Sequence, residues 1–364
     1  MEKNSDIPSY FLLKAMLLPV IIVPALVITM LVIRGDRADQ LYSKAMEAFK
    51  RGDYPAACAD FARAGELGHA DSAYNLALIY QAKLVKVENS DALAEANFLL
   101  ASLNGSARAE YELGRIAENN VEPDYDRAAM YYRRSALAGI PEAMIALGKL
   151  YEKGSGVNQS FLLAAELYEK AGRSGDAAGY TELGLLHISG KLGKIDLSTG
   201  RKCLEIAAGE GHAKAFTALG VICERSDDTA VQKRAAGYYR RAAELKDPDG
   251  MVNYGDYLQR CGQTAEALDL YLLAADEFDF HPAQHRAGVF YFSHPVPDYA
   301  LARKYFERAA AQGNAASWIN LGIMAELGHG FKADFKQARE CYSMAEKLGH
   351  SEAASHLRQL PQED

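Results

Sequence analysis

The chain has 364 residues, of which 49% are hydrophobic, with a formal net charge of −8 and an isoelectric point of about 5.7. Binding to nucleic-acid phosphates needs clustered Lys and Arg, and the absence of any basic block argues against a nucleic-acid partner. The 5 cysteines contain no Cys-x-x-Cys motif, which argues against a disulfide framework or a zinc site, and the 11 prolines leave most of the chain free to be helical.

The first predicted element is a membrane-spanning helix at residues 10–33. Between Ala15 and Ile33 no residue carries a charge, and as a helix this stretch spans roughly 29 Å, close to the thickness of a bilayer core. Pro19 and Pro24 are tolerated in membrane helices. The residues that follow form a poor cleavage site, so an uncleaved single-pass anchor is favoured over a signal peptide or a buried soluble helix.

The side of the membrane on which the rest of the chain lies stays open. Basic residues are more numerous after the apolar stretch than before it, which leans toward a cytoplasmic domain. Long domains cross membranes largely regardless of charge, so a periplasmic location is also compatible with the sequence.

From residue 70 onward, a Leu-Gly pair or a degenerate copy of it recurs every 33 to 37 residues. We call the second residue of each pair the repeat glycine, and it stands at Ala77, Gly114, Gly148, Gly184, Gly220, Gly255, Gly288 and Gly322. The residue five positions earlier is always small, and the residue three positions later is often Tyr. These spacings place the columns on one helical face, and the fixed period predicts stacked helix pairs with almost no β-strand.

Each unit continues into a second helix with a pattern such as Ala129, Tyr132 and Ala136. A glycine follows this helix in most units, where it can adopt the left-handed conformation of a helix end. These glycines are Gly68, Gly105, Gly139, Gly175, Gly211, Gly313 and Gly349. The stretch Gly154-Ser155-Gly156 is then the loop inside one pair, because a phosphate-binding loop would follow a strand.

These columns resemble the Sel-1-like repeat family, which is related to the tetratricopeptide repeats. The family pattern is approximately A-x-x-x-L-G-x-x-Y, a Gly-rich loop, and D-x-x-x-A-x-x-x-Y-x-x-A-A-x-x-G. Residues 143–151 match its first half, and residues 334–349 match its second half. The resemblance implies a right-handed α-solenoid of stacked helix pairs behind the membrane helix, whereas residues 38–69 are more similar to a plain tetratricopeptide pair.

The expected domain organisation follows from these elements. It comprises a tail at 1–9, a transmembrane anchor at 10–33, a linker and helix pair at 34–69, eight repeats at 70–350 and a capping helix at 351–364.

In this superfamily the first helix of each pair lines the concave side, so the resemblance implies a binding groove there. We define the first-helix face as the positions three before, two before and one after the repeat glycine. Its mixture of aromatic, amide and charged residues suits an extended peptide or a partner helix, although several of these side chains could contact only the next repeat. The candidate protein-binding residues are Tyr74, Asn75, Tyr111, Arg115, Lys149, Thr181, Thr217, Asn253, Asp256, His285 and Asn320.

No motif predicts catalysis, a cofactor or a metal. His281 and His285 are four residues apart and could share a helix face, but no motif supplies a third ligand. Nucleotide-binding, metalloprotease and kinase motifs are absent from the sequence, so we do not expect an enzyme.

The sequence therefore predicts a membrane-tethered scaffold or adaptor that binds a protein or peptide in its groove. The resemblance to the family implies that the membrane is a bacterial inner membrane. The alternative is an envelope factor that binds polysaccharide or peptidoglycan, or supports its export. The partner, the pathway and the oligomeric state stay open.

Overall fold

The computed structural model describes residues 9–330 and 332–361, with side chains described from residue 30 onward. Every regular element in this part of the chain is an α-helix, which confirms the predicted all-α solenoid class. The right-handed sense of the solenoid stays a prediction. Contacts divide the chain into two compact units, Met1–Gly179 and Tyr180–Asp364.

The first unit contains eight complete helices, and α9 begins at its end. They are α1 Ser9–Lys50, α2 Tyr54–Glu66, α3 Ala70–Gln81, α4 Ser90–Leu103, α5 Ala107–Asn119, α6 Tyr125–Leu137, α7 Pro141–Lys153, α8 Phe161–Arg173 and α9 Ala177–Ile188. They pack as the pairs α1/α2, α3/α4, α5/α6 and α7/α8, and each pair contacts the next.

The second unit repeats this arrangement. Its helices after α9 are α10 Leu197–Gly209, α11 Ala213–Glu224, α12 Thr229–Gln232, α13 Ala235–Glu244, α14 Pro248–Arg260, α15 Thr264–Glu277, α16 His281–Ser293, α17 Tyr299–Ala311, α18 Ala315–Leu327, α19 Phe335–Lys347 and α20 Ala353–Gln359. The pairs are α11/α13, α14/α15, α16/α17 and α18/α19, and α20 packs against α19.

Side-chain caps define where many second helices begin. An aspartate precedes the first turn and accepts a hydrogen bond from the backbone N–H three residues later, which satisfies one of the free donors of a helix start. These caps are Asp53, Asp124, Asp196, Asp298 and Asp334.

The repeat glycine is the point at which the two helices of a pair meet. A Cβ atom on Gly148 would lie 2.5 Å from the ring of Tyr168, and one on Gly322 would lie 2.3 Å from the ring of Tyr342. Both distances are shorter than real Cβ contacts, and both rings are fully buried. At these two repeats the glycine is therefore a steric requirement of helix pairing.

The hydroxyl of each buried tyrosine needs a hydrogen-bond partner, because an unpaired buried polar group is costly. Four of these hydroxyls donate, at 2.7 to 3.1 Å, to a glutamate four residues after the repeat glycine. The pairs are Tyr132–Glu118, Tyr168–Glu152, Tyr239–Glu224 and Tyr342–Glu326. Burial and the nearby carboxylate together raise the pKa of Tyr132 above its ordinary value.

Two of the repeats that have a true glycine in this column have no hydroxyl at this position. The ring of Phe306 lies over Gly288, and Leu204 lies over Gly184. The residues four positions after these glycines are Phe292 and Ile188 in place of glutamate. In the repeats with a true glycine, a carboxylate is thus present where a hydroxyl must be bonded, and an apolar side chain takes its place where there is none.

Two second helices end without a glycine. Lys246 after α13 and Asp279 after α15 adopt positive φ angles of 62° and 49°, a conformation that disfavours side chains with a Cβ. Asp279 is held by hydrogen bonds from Gln284 at 2.6 Å and from Arg308 at 3.0 Å. These contacts from the following repeat compensate for the missing glycine.

Helix α1 is continuous from Ser9 to Lys50. Within the part of the chain whose side chains are described, no helix has the length and apolar character needed to cross a bilayer. The predicted anchor residues Ala15, Pro19 and Pro24 lie outside the described side chains, and Ile33 is 62% exposed.

Residues 34–50 belong to the segment 34–69, where we expected a linker and a helix pair, and they form the part of α1 that packs against α2. The guanidinium of Arg34 donates to the backbone carbonyls of Glu66 at 2.8 Å and Leu67 at 3.0 Å. A cation is favourable at a helix C-terminus, so this contact fixes α1 to the end of α2.

Candidate interaction surface

Three candidates on the first-helix face of the second unit contact the following repeat. Thr181 Oγ1 lies 2.7 Å from His212 Nδ1, and Thr217 Oγ1 donates to Asp247 Oδ2 at 2.6 Å. Both threonines are buried. They connect successive repeats and are not accessible to a partner.

His285 occupies the same position three residues before its repeat glycine. Its Nδ1 lies 2.9 Å from Ser317 Oγ on α18. Burial, reinforced by the positive charge of Arg286, lowers the pKa of His285 to about 4. The neutral imidazole is therefore the form that joins α16 to α18 at neutral pH.

Candidates in the first unit leave more surface available. The guanidinium of Arg115 lies 5.9 Å from the ring centroid of Tyr111 and 3.0 Å from a carboxylate oxygen of Glu112. Burial raises the pKa of Glu112, while the side chain of Arg115 is 49% exposed. Lys149 is exposed on the next first helix, α7.

An open apolar pocket of about 200 Å³ lies among α1, α2 and α3. It is lined by Met46, Phe49, Phe61, Asn75, Leu78, Ile79, Ala82 and Leu84. The candidate Asn75 supplies its amide group, whose Nδ2 lies 3.7 Å from the Met46 sulfur. Phe49 and Leu84 at the rim are 37% and 40% exposed.

This pocket can hold one large apolar side chain, and the Asn75 amide can exchange its weak N–H···S contact for a peptide group. The neighbouring candidate Tyr74 is half-buried, with its ring centroid 5.6 Å from that of Phe98. The sequence named Asn75 as a candidate but did not predict the pocket that it lines. The sequence feature that could have indicated the pocket is the presence of two apolar residues, Met46 and Leu84, outside the repeating columns.

Asp256 belongs to a second, polar cavity of about 430 Å³ in the second unit. Arg286 donates to both of its carboxylate oxygens, at 2.8 and 2.9 Å, and Arg260 also lines this cavity. Neither arginine was predicted. Arg260 lies outside the first-helix face, and Arg286 lies on it, two residues before its repeat glycine, at a position where only the recurring asparagines were selected. The remaining candidates, Asn253 and Asn320, are half-buried.

The histidines singled out by their spacing are used in contacts between repeats. His281 Nδ1 lies 3.4 Å from Asn314 Nδ2, and His285 contacts Ser317. Among the residues that the structure describes, no group of three or more His, Cys, Asp or Glu could hold a metal ion.

The chain resembles known proteins along most of its length. An uncharacterized protein of Neisseria meningitidis is 26% identical over 63% of this chain and 56% of its own length. A chitin synthase regulator of Saccharomyces cerevisiae is 33% identical over 34% of this chain and 18% of its own length. These matches therefore span about half, or less, of the curated relatives.

Among solved structures, a protective antigen of uropathogenic Escherichia coli with an SLR fold superposes with a TM-score of 0.52. It is 25% identical, and the match covers 88% of this chain and 71% of the antigen. The family model of the Sel1 repeat matches residues 94–140, 141–176, 177–212, 217–247, 248–277, 281–314 and 319–350. Since these matches cover more than half of the sequence, the chain belongs to the Sel1 repeat family.

Proposed function

We propose that this protein is a membrane-tethered, non-enzymatic scaffold that binds a partner protein or peptide along the first helices of its repeats. Sel1 repeat proteins are protein–protein interaction scaffolds, and their repeat fold is typically non-enzymatic. The observation that carries the proposal is the open apolar pocket among α1, α2 and α3.

The chemistry around this pocket suits a protein ligand. Interfaces usually combine a few buried apolar anchors with surrounding polar contacts, and Tyr and Arg are enriched among the residues that dominate affinity. The pocket would receive the apolar anchor, and the Asn75 amide would bond the adjacent backbone. Tyr111, Arg115 and Lys149, on the following two first helices, would contact the polar residues of the same segment.

The tether is proposed from residues 10–33, whose uncharged stretch has the length of a bilayer core. Confinement to a membrane raises the local concentration of a partner in the same membrane. Reporters fused after Asp364, one active only in the cytoplasm and one only outside it, would locate the repeats. Release of the intact chain from washed membranes by salt alone would contradict a membrane-spanning tether.

The scaffold proposal is tested by quantitative crosslinking and recovery of partners from cells expressing the full chain. The test variants are the triple variant Tyr111→Ala, Arg115→Ala and Lys149→Ala, and the pocket variant Leu78→Glu. We expect the same partner to be depleted in both, and retained by the control Arg173→Gln on the second helix α8. Unchanged recovery by both test variants, with normal folding, would refute this surface.

A second candidate is an envelope factor acting on polysaccharide synthesis or export. It is favoured by the similarity to the yeast protein that is named as a regulator of chitin synthase. In this case the purified full chain should be retained by envelope polysaccharide or peptidoglycan without any added protein. Loss of retention on removal of the polymer, and not on removal of membrane proteins, would favour this candidate over the scaffold.

A further inference from the structure

The polar cavity of the second unit is built by residues from α14 and α16. Asp256, Gln259, Arg260, Arg286 and Val289 line it. A neighbouring cavity of about 260 Å³ shares Arg260 and reaches the end of α11 and the start of α13. Two guanidinium groups thus face one space from two successive first helices.

Both oxygens of each carboxylate beside these guanidiniums already accept a hydrogen bond. Asp256 Oδ1 accepts from Tyr271 at 2.6 Å and from Arg286 Nε at 2.8 Å, and Oδ2 accepts from Arg286 Nη2 at 2.9 Å. Glu224 Oε1 accepts from Arg260 at 2.7 Å, and Oε2 accepts from Tyr239 at 2.8 Å. A bound cation would therefore have to compete with these donors and with the two guanidinium charges.

The guanidiniums, in contrast, retain unused donors. Each carries five N–H groups in a rigid fork. Within the described part of the chain, Arg260 uses one nitrogen for its bond to Glu224, and Arg286 uses two for Asp256. Their side chains are 60% and 42% exposed, so the remaining N–H groups can reach a ligand.

The same contacts hold both guanidiniums in place before any ligand arrives. Asp256 is itself fixed by the buried ring of Tyr271, and Glu224 by that of Tyr239. Preorganised donors lose less conformational freedom on binding. The cavity therefore offers fixed, unsatisfied donors and few free acceptors, which selects an anionic acceptor.

We propose that this cavity binds a side-chain carboxylate of an acidic segment in the partner protein, between Arg260 and Arg286. Planar carboxylates match the guanidinium fork. A long polyanion such as nucleic acid is disfavoured by the net charge of −8. The proposal rests on the proposed function, since it names the chemistry of a partner bound along the first helices.

The test uses the full chain in detergent micelles and two labelled 12-residue peptides of Gly and Ser. One contains a central Glu-Glu pair and the other Gln-Gln, and the dye carries no net charge. A charge-assisted hydrogen bond is worth enough that we expect the Glu peptide to bind about tenfold more tightly by fluorescence anisotropy. Added salt should reduce this preference.

The preference should disappear in Arg260→Gln and persist in Arg173→Gln, an exposed arginine paired with Glu169 on α8. Arg260→Gln is the decisive variant, because Glu224 keeps its bond to Tyr239 and is 43% exposed. Arg286→Gln should have the same effect if its melting curve matches that of the unsubstituted chain. Equal binding of both peptides up to millimolar concentration, or an unchanged preference in Arg260→Gln, would overturn the proposal.

Failure here and failure of the scaffold proposal are distinguishable. The partner-recovery test uses residues of the first unit, whereas Arg260 and Arg286 lie in the second. Loss of the partner in the first-unit variants without a preference for the Glu peptide would overturn only the carboxylate site.

Discussion

The repeats at 141–176 and 281–314 build the same helix pair with different chemistry. In the first, Tyr168 lies over Gly148 and bonds Glu152. In the second, Phe306 lies over Gly288 and Phe292 takes the place of the glutamate. The glycine and the ring are shared, so close approach of the helices is the common requirement, and the hydroxyl–carboxylate bond is an interchangeable addition.

The largest effect should come from the shared element. Gly148→Val would force side-chain atoms into the ring of Tyr168, and overpacking of this kind costs about 3 kcal/mol. Gly288→Val should be equally damaging, since its Cβ would lie 2.6 Å from Phe306. Thermal unfolding followed by circular dichroism measures both.

Gly237→Ala is the matched control for these glycines. Gly237 lies within α13 with no atom within 4 Å of its would-be Cβ. Alanine should therefore raise stability there by about 0.5–1 kcal/mol through helix propensity. A Gly148→Val variant that melts like Gly237→Ala would contradict the packing account.

The role of the hydroxyl–carboxylate bond can be tested by converting a repeat that has Tyr and Glu into one that has two apolar residues. Glu118→Leu leaves the buried Tyr132 hydroxyl without its acceptor and should cost about 1–3 kcal/mol. Adding Tyr132→Phe should recover most of that loss, because the pair then has the apolar chemistry of Phe306 and Phe292. A double variant no more stable than Glu118→Leu alone would show that the hydroxyl is not the cause.

The two kinds of repeat should also differ in their response to pH. His285 has a folded pKa of about 4, below the value of about 6.5 for an unfolded histidine. The unfolded chain therefore binds more protons between these values, and stability falls as pH drops from 6.5 toward 4. Thr217, at the equivalent position, does not titrate.

The measurement is the melting temperature of the full chain and of His285→Thr between pH 7 and pH 5. We expect the unsubstituted chain to lose about 2 kcal/mol more than the variant over this range. Carboxylates titrate in both proteins and cancel in the difference. If the melting temperatures of the two proteins fell equally with pH, His285 would not be held neutral by its surroundings.

The smallest effect concerns the two helix ends without glycine. Lys246→Gly should stabilise the chain by about 0.5–1 kcal/mol, because glycine adopts the left-handed conformation without strain. Asp279→Gly should bring no such gain, since it removes the bonds from Gln284 and Arg308. Equal gains at both positions, measured by thermal unfolding, would show that those bonds contribute little.

The helix pairs could be predicted because they depend on local columns such as Leu147-Gly148 and Ala143 that recur at a fixed period. The hydrogen-bond partners of individual polar side chains could not be predicted in this way. Thr181 and Thr217 lie on the first-helix face, yet they bond residues about 30 positions later. That outcome depends on how closely successive repeats approach, which the period alone does not determine.

The polar cavity illustrates the same limit. Arg286 lies two residues before its repeat glycine, and Arg260 lies five after the preceding one. No other repeat has an arginine at the first of these positions, and only Arg225 repeats it at the second, so no regular column identifies them. Their association follows from the stacking of α14 on α16, which only the three-dimensional structure supplies.

The contact between Arg34 and the end of α2 has a mechanical consequence. Because α1 is one uninterrupted helix and Arg34 binds the end of α2, the part of α1 before Arg34 is rigidly connected to the helices that follow in the first unit. A single residue inserted before Arg34 would turn that segment by about 100° and displace it by about 1.5 Å relative to the unit. The number of residues in α1 before Arg34 therefore sets the rotation of the repeats about the axis of that helix.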